Sequence, residues 1–150
     1  MNYWLMKTEP DEFSIDDLKR KKSEPWSGVR NYQARNYMRD GMRKGDGVLF
    51  YHSSCAVPGV AGIAEVATSA YADPTQFDPK SDYFDAGSPG DAPRWLMVDV
   101  RYKRKLKRVI TLTELKQHHE LNGMILLRPG NRLSVTPVTK AEWDFVLGLE

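Results

Sequence analysis

The chain has a single cysteine, Cys55, among 150 residues, which excludes an internal disulfide and fits a reducing compartment. No apolar run approaches the roughly 20 residues that a membrane helix requires, so no membrane partner is expected. Its opening, Met1-Asn-Tyr-Trp-Leu-Met-Lys7, lacks both the basic start and the long apolar stretch of a secretory signal. The expected location is therefore the cytoplasm of a bacterium or the nucleus of a eukaryote. Catalytic and metal signatures are equally scarce. His52-Ser53-Ser54-Cys55 sets a base beside possible nucleophiles, but there is no Gly-x-Ser-x-Gly elbow and no evident group to orient the imidazole. His118 and His119 are adjacent, so on a helix they point about 100° apart and do not grip one ion. There is no Cys-x-x-Cys, and the glycines at 45, 47, 59 and 62 lack the spacing and lysine of a phosphate-cradling loop. No metal, cofactor or catalytic residue is expected.

What remains is enough for one compact domain over residues 1–150, since a chain of this length buries roughly 70% of its unfolded surface. Net charge is only +2, yet it is unevenly placed. Arg101 to Arg108 holds six cationic side chains in eight positions, whereas residues 73 to 91 carry five Asp against one Lys. The basic run reads either as a surface for nucleic acid or as a strand edge protected by charge. Periodicity predicts strands at Tyr3 to Lys7, Gly47 to His52, Val60 to Ser69, Arg94 to Leu106, Met124 to Leu127 and Leu133 to Val138. Ser14 with Asp17, Thr111 with Glu114 and Thr139 with Glu142 have capping-box spacing and open helices, the last ending near Leu147. Another helix is predicted over Tyr32 to Arg43. Short strands mixed with short helices define an α+β class. Asp73 to Pro93, rich in Asp, Pro and Gly, reads as a long surface loop whose Phe77, Tyr83 and Phe84 either close over a ligand or pin the loop to the core.

The segment from Trp26 to Asn36, Trp-Ser-Gly-Val-Arg-Asn-Tyr-Gln-Ala-Arg-Asn, mixes an aromatic plane, two arginines and three amides without the apolar periodicity of a buried face. Such groups suit a planar polar ligand: Trp26 offers a flat face, Arg30 and Arg35 supply fixed charge, and Asn31, Gln33 and Asn36 donate and accept. Nucleobases and phosphates ask for that combination. The plainer reading is a turn into an amphipathic helix with Trp26 as a core anchor. Tyr51, His52 and Ser53 end a predicted strand, where side chains project toward a barrel mouth. Trp95 and Trp143 are assigned to the interior.

Met6 to Pro10, Trp26 to Asn36, Gly45-Asp46 leading to Phe50 to Ser53, Gly62 to Val66, and Arg132 to Pro137 fall in an order that resembles an EVE domain, a member of the PUA-like superfamily similar in fold to YTH domains. The resemblance spans nearly the whole chain. It implies a PUA-like fold, a small curved mixed sheet or partly open β-barrel flanked by short helices. It also implies a pocket that takes a flipped, modified base, with a 5-substituted cytosine in DNA favoured and N6-methyladenine in RNA left open. A small nucleotide-processing hydrolase or transferase using the same pocket is the alternative, and a protein-interaction scaffold a third. Resemblance, which places Lys7, Thr8, Glu9, Trp26 and Ser27 along the pocket, and the residue chemistry above together give the base-binding set Lys7, Thr8, Glu9, Trp26, Ser27, Val29, Asn31, Tyr32, Asn36, Tyr51, His52 and Ser53. The backbone-contacting set is Arg30, Arg35, Arg132 and Ser134. Many family members carry Gln where this chain has Thr136, which removes any contact from that longer amide. Lys7, Glu9 and Arg132 have the charges to pair with one another in the free protein.

Overall fold

The computed structural model describes all 150 residues. In chain order the elements are β1 (Tyr3–Thr8), α1 (Ile15–Lys21), β2 (Ser23–Pro25), α2 (Tyr32–Asn36), β3 (Gly47–His52), β4 (Gly59–Val66), β5 (Tyr71–Ala72), β6 (Leu96–Met97), β7 (Asp99–Thr111), α3 (Leu112–Lys116), β8 (Val135–Val138) and α4 (Lys140–Gly148). Six strands form one mixed sheet in the order β2-β7-β4-β3-β1-β8, and β5 pairs with β6 separately. β1 runs parallel to β3, while the other pairs in the large sheet are antiparallel. Register shifts at Phe50/Tyr51, Val60/Gly62 and Ile63/Ala64 leave unpaired residues that bend the strands, and the sheet curls into a half-barrel.

Strict alternation along the central strands sorts side chains between two cores. Trp4, Met6, Val48 and Phe50 enter one, closed by Ile15 and Leu18 of α1 and by Ala34 and Met38. Leu5, Leu49 and Tyr51 enter the other, closed by Leu115 of α3 and Val146 of α4. Local signals set the helix starts. Ser14 and Asp17 cap α1 reciprocally, as do Thr139 and Glu142 for α4. Thr111 caps α3 by accepting from Glu114 N, but the Glu114 carboxylate accepts from Arg108 instead of returning to the cap.

The structure departs from sequence expectation where partners decide conformation. Met124 to Leu127 is no strand: Ile125–Leu127 is a 3-10 turn whose Leu126, with the preceding Met124, is buried in the second core. A short apolar run does not reveal its own period. The predicted strand from Arg94 is split, because β6 pairs with β5 whereas β7 begins at Asp99, whose N–H donates to Thr68 Oγ1 at 3.0 Å, and continues to Thr111. The helix from Tyr32 is α for one turn and then widens into a π turn over Tyr37–Gly41. Gly41 lies against Trp4, where an added Cβ would stand 2.6 Å from the indole. The Asp73 to Pro93 segment contains a 3-10 turn, Pro74–Phe77, and is anchored by two fully buried polar residues, Asp73 and Gln76.

Candidate functional site

Because β1 and β3 are parallel, their C-terminal ends emerge side by side, and β8 joins them from the opposite direction. Ser53 N donates to Thr8 O at 2.9 Å, and Lys7 N donates to Ser134 O at 2.8 Å. These strand ends form one wall of a cavity of about 720 Å³, lying within the roughly 300–1,000 Å³ of small-molecule sites. The 9–13 turn and the 24–30 segment complete it, with Tyr83 reaching in from the acidic loop. Trp26 is fixed by donation from its backbone N–H to Val98 O at 2.8 Å. Its ring meets Phe13 and Phe50 edge to face at 6.4 and 5.7 Å and is only 8% exposed. Trp26 is thus a core anchor, as the plainer reading expected, and only the remaining rim of its indole borders the cavity.

Two cations face this space without an anionic partner. None of the protein's ion pairs involves Lys7 or Arg132. Lys7 is half-buried, and burial pushes its ammonium below the ordinary lysine value. Its Nζ lies 6.0 Å from the Tyr51 ring centroid. Arg132 is exposed. The mutual pairing of Lys7, Glu9 and Arg132 open to the sequence does not occur. An unpaired, partly desolvated ammonium favours an incoming anion, because the ligand restores the interaction that burial removed.

Of the expected set, Lys7, Thr8, Glu9, Trp26, Ser27, Val29, Ser53, Arg30, Arg132 and Ser134 line the cavity. The other six do not reach it. Asn31 is the N-cap of α2, where its Oδ1 accepts from Ala34 N at 3.0 Å. Arg35 donates to Asn36 Oδ1 at 2.8 and 3.1 Å and to Arg94 O at 2.9 Å, which occupies Asn36 as well. Tyr32 stacks on Trp95 with centroids 4.9 Å apart. Tyr51 falls on the second core by strand alternation. His52 Nε2 accepts from Ile15 N at 3.1 Å, capping α1, and burial lowers its pKa so that the neutral acceptor persists.

Arg30 lines the cavity, but its donors are engaged internally. Nε and Nη2 donate to Tyr83 O at 3.0 and 2.8 Å, Nη1 to Val29 O at 3.0 Å and Asp73 Oδ2 at 3.1 Å, and Nη2 also to Thr75 Oγ1 at 3.0 Å. With five N–H groups in all, the guanidinium has none left for a phosphate. It ties the acidic loop to the 26–30 segment. Sequence reasoning also missed Glu12, Phe13, Glu24, Pro25, Gly28 and Ser54 in the lining, and of the three loop aromatics it left open only Tyr83 reaches it. Phe13 arrives because Thr8 Oγ1 donates to its carbonyl at 3.0 Å, folding the 9–13 turn back over the strand end. No local pattern announces that contact.

The basic run on β7 has little free charge. Arg101 and Lys103 pair with Glu65, Arg104 with Glu150, Lys105 with Asp16, and Arg108 with Glu114. Only Lys107 of the six makes no ion pair, so the run is a laced strand and not a phosphate track.

A curled mixed sheet whose strand ends frame a polar cavity, with unpaired cations on one side and an aromatic rim on the other, defines a small ligand-recognition domain. The chain belongs to the EVE domain family, whose model it matches over residues 2–149. Human thymocyte nuclear protein 1 is 44% identical over 168 aligned residues, covering 99% of this chain and 74% of that protein. A structure of the human THYN1 protein in complex with DNA containing 5-methylcytosine matches with a TM-score of 0.94 at 43% identity, covering 99% of this chain and 97% of that one. A Pseudomonas syringae protein of known structure matches at 0.95 with 49% identity, covering 98% of each chain. The fold is thus the PUA-like one implied by the sequence motifs.

Proposed function

We propose that this chain is a nucleic-acid-binding module that takes a 5-methylcytosine of DNA into the cavity between the strand ends and the Trp26–Arg30 segment, and that it recognises the base without processing it. The observation that carries this reading is the match, over nearly the whole chain, to a protein bound to DNA containing 5-methylcytosine, joined to a cavity of suitable size and polarity. Removing a base from its stack costs a few kcal/mol, which stacking at about 1–3 kcal/mol per aromatic contact offsets. Trp26 lends an aromatic rim, Val29 and Phe13 give the methyl group apolar neighbours, and Thr8, Glu9, Ser27 and Ser53 offer hydrogen bonds to the base edge. Lys7 and Arg132 meet the flanking phosphates, with Ser134 beside them. The absence of turnover is supported by the employment of His52: its Nε2 accepts from Ile15 N and is not available as a base for Ser53 or Ser54.

Fluorescence anisotropy with paired oligonucleotides, methylated and unmethylated at one cytosine, tests this. An apolar neighbour distinguishes one methyl by about 1–3 kcal/mol, so the methylated probe should bind roughly 5- to 150-fold more tightly. Lys7→Gln and Arg132→Gln should weaken both probes and lower the salt slope by about 0.7–0.9 for each lost phosphate contact, whereas Lys107→Gln should leave it unchanged. Equal affinity for the two probes rejects the reading.

A further inference from the structure

We propose that Tyr83, supplied by the acidic loop, is the principal stacking platform of the base site, with Arg30 as the positioning residue that holds it there; this rests on the base-binding reading above. The aromatic side chains at the cavity differ in how much surface they leave free. The Trp26 ring is almost wholly covered by Phe13 and Phe50, so it presents a rim and not a face. Tyr83 also lines the cavity but is 45% exposed. It is far more exposed than Trp26.

Tyr83 is held at its main chain while nearly half of the residue's surface stays exposed. Its carbonyl accepts two bonds from Arg30, and the guanidinium carbon sits 5.5 Å from the Tyr83 ring centroid. Asp73 grips the same assembly: its carboxylate accepts from Gly28 N at 2.8 Å, from Thr75 N at 2.8 Å and from Arg30 Nη1 at 3.1 Å. Burial alone would raise the Asp73 carboxyl, but the bonds from Thr75, Gly28 and Arg30 outweigh it and hold the group ionised below the usual carboxylate value. One edge of the ring lies on Gly28, where a built Cβ would stand 2.8 Å from Cε2 and Cζ. Gly28 also has φ +85°, a region that L side chains rarely adopt, so glycine serves both the turn and the approach of the ring. Phe77 and Phe84 are comparably exposed on the same loop but do not line the cavity. A platform fixed before the ligand arrives needs no ordering on binding, which favours tight capture of a planar group. Sequence tolerance follows too, because any base offers a π face; selectivity for the modified base then comes from the rest of the lining, Phe13 and Val29 among it.

The test compares Tyr83→Leu, Tyr83→Phe and wild type against the methylated oligonucleotide and its unmethylated twin, with folding of each variant checked by circular dichroism at the assay temperature. Leucine keeps an apolar group over Gly28 but removes the π face, so affinity for the methylated probe should fall roughly 5- to 150-fold while Tyr83→Phe keeps wild-type affinity. If wild type prefers the methylated probe and Tyr83→Leu binds as tightly as wild type, the platform is overturned and the base-binding reading stands. Equal loss in Tyr83→Leu and Tyr83→Phe overturns stacking in favour of a hydroxyl contact. If wild type binds both probes alike, the base-binding reading fails and the platform with it.

Discussion

Replacing Arg30 by methionine removes a guanidinium that ties three segments together, and the structure sets the size of the loss. The two bonds to Tyr83 O are solvent-exposed, so water substitutes for much of them. The bonds to Val29 O, Asp73 Oδ2 and Thr75 Oγ1 are partly buried, at 3.0, 3.1 and 3.0 Å. The Asp73 side chain has no exposed surface, and breaking a buried ion pair by removing one partner costs about 3–5 kcal/mol. Asp73 keeps three other donors, Gly28 N, Thr75 N and Thr75 Oγ1, which places the cost at the lower end, about 3 kcal/mol. Methionine retains most of the apolar stem, so packing changes little. For a chain of this size the loss corresponds to a fall of about 6–12 °C in melting temperature. Urea unfolding followed by circular dichroism reads it as a lower midpoint at an unchanged slope. A double-mutant cycle with Asp73→Asn should show strong non-additivity, because both substitutions dismantle one network. A loss below about 0.5 kcal/mol would place Arg30 among ordinary surface residues and refute the clamp.

Two further outcomes follow from buried groups. Thr136 is fully buried with no hydrogen-bond partner for Oγ1, so the near-isosteric Thr136→Val should raise stability by about 1 kcal/mol in the same urea assay; a fall would mean the hydroxyl has a partner. His52 has a folded pKa depressed below its ordinary 6.5, first by burial, so protonation favours the unfolded chain. Its contribution is complete above about pH 6.5 and is lost as pH falls through the depressed folded value. His52→Gln keeps an acceptor for Ile15 N but cannot titrate, so the stability difference between about pH 7.5 and pH 5 should be smaller than in wild type. Identical pH profiles would remove His52 from the account.

What the sequence made legible was local. Strand β1, strand β3 and the two reciprocal caps, Ser14 with Asp17 and Thr139 with Glu142, are written in near neighbours and appear at the expected positions. Ser23–Pro25 went unseen because three residues become a strand only by pairing with Asp99 to Arg101. The basic run misled for a related reason: the carboxylates that neutralise it come from Glu65, Glu150, Asp16 and Glu114, most of them far away in the chain. In the site, motif resemblance located Lys7, Trp26, Ser27 and Arg132 at one cavity. Arg30 and Arg35 were harder, since an arginine looks the same in sequence whether its donors face a ligand or a distant carbonyl. Tyr51 and His52 depended on strand parity at a bulged end, where the register shift after Phe50 is set by β4. Tyr83 sits 57 positions beyond Trp26, and only the Arg30–Asp73 network brings it to the same space.

The most direct measurement uses DNA carrying a single 5-methylcytosine with a 13C-labelled methyl group and records nuclear Overhauser contacts from that methyl in the complex. The account predicts contacts to protons of the cavity lining, Phe13, Trp26 and Val29 foremost, with a methyl shift displaced by the neighbouring rings. A methyl whose contacts remain with its own DNA stack, or lie along β7, would contradict the flipped-base site.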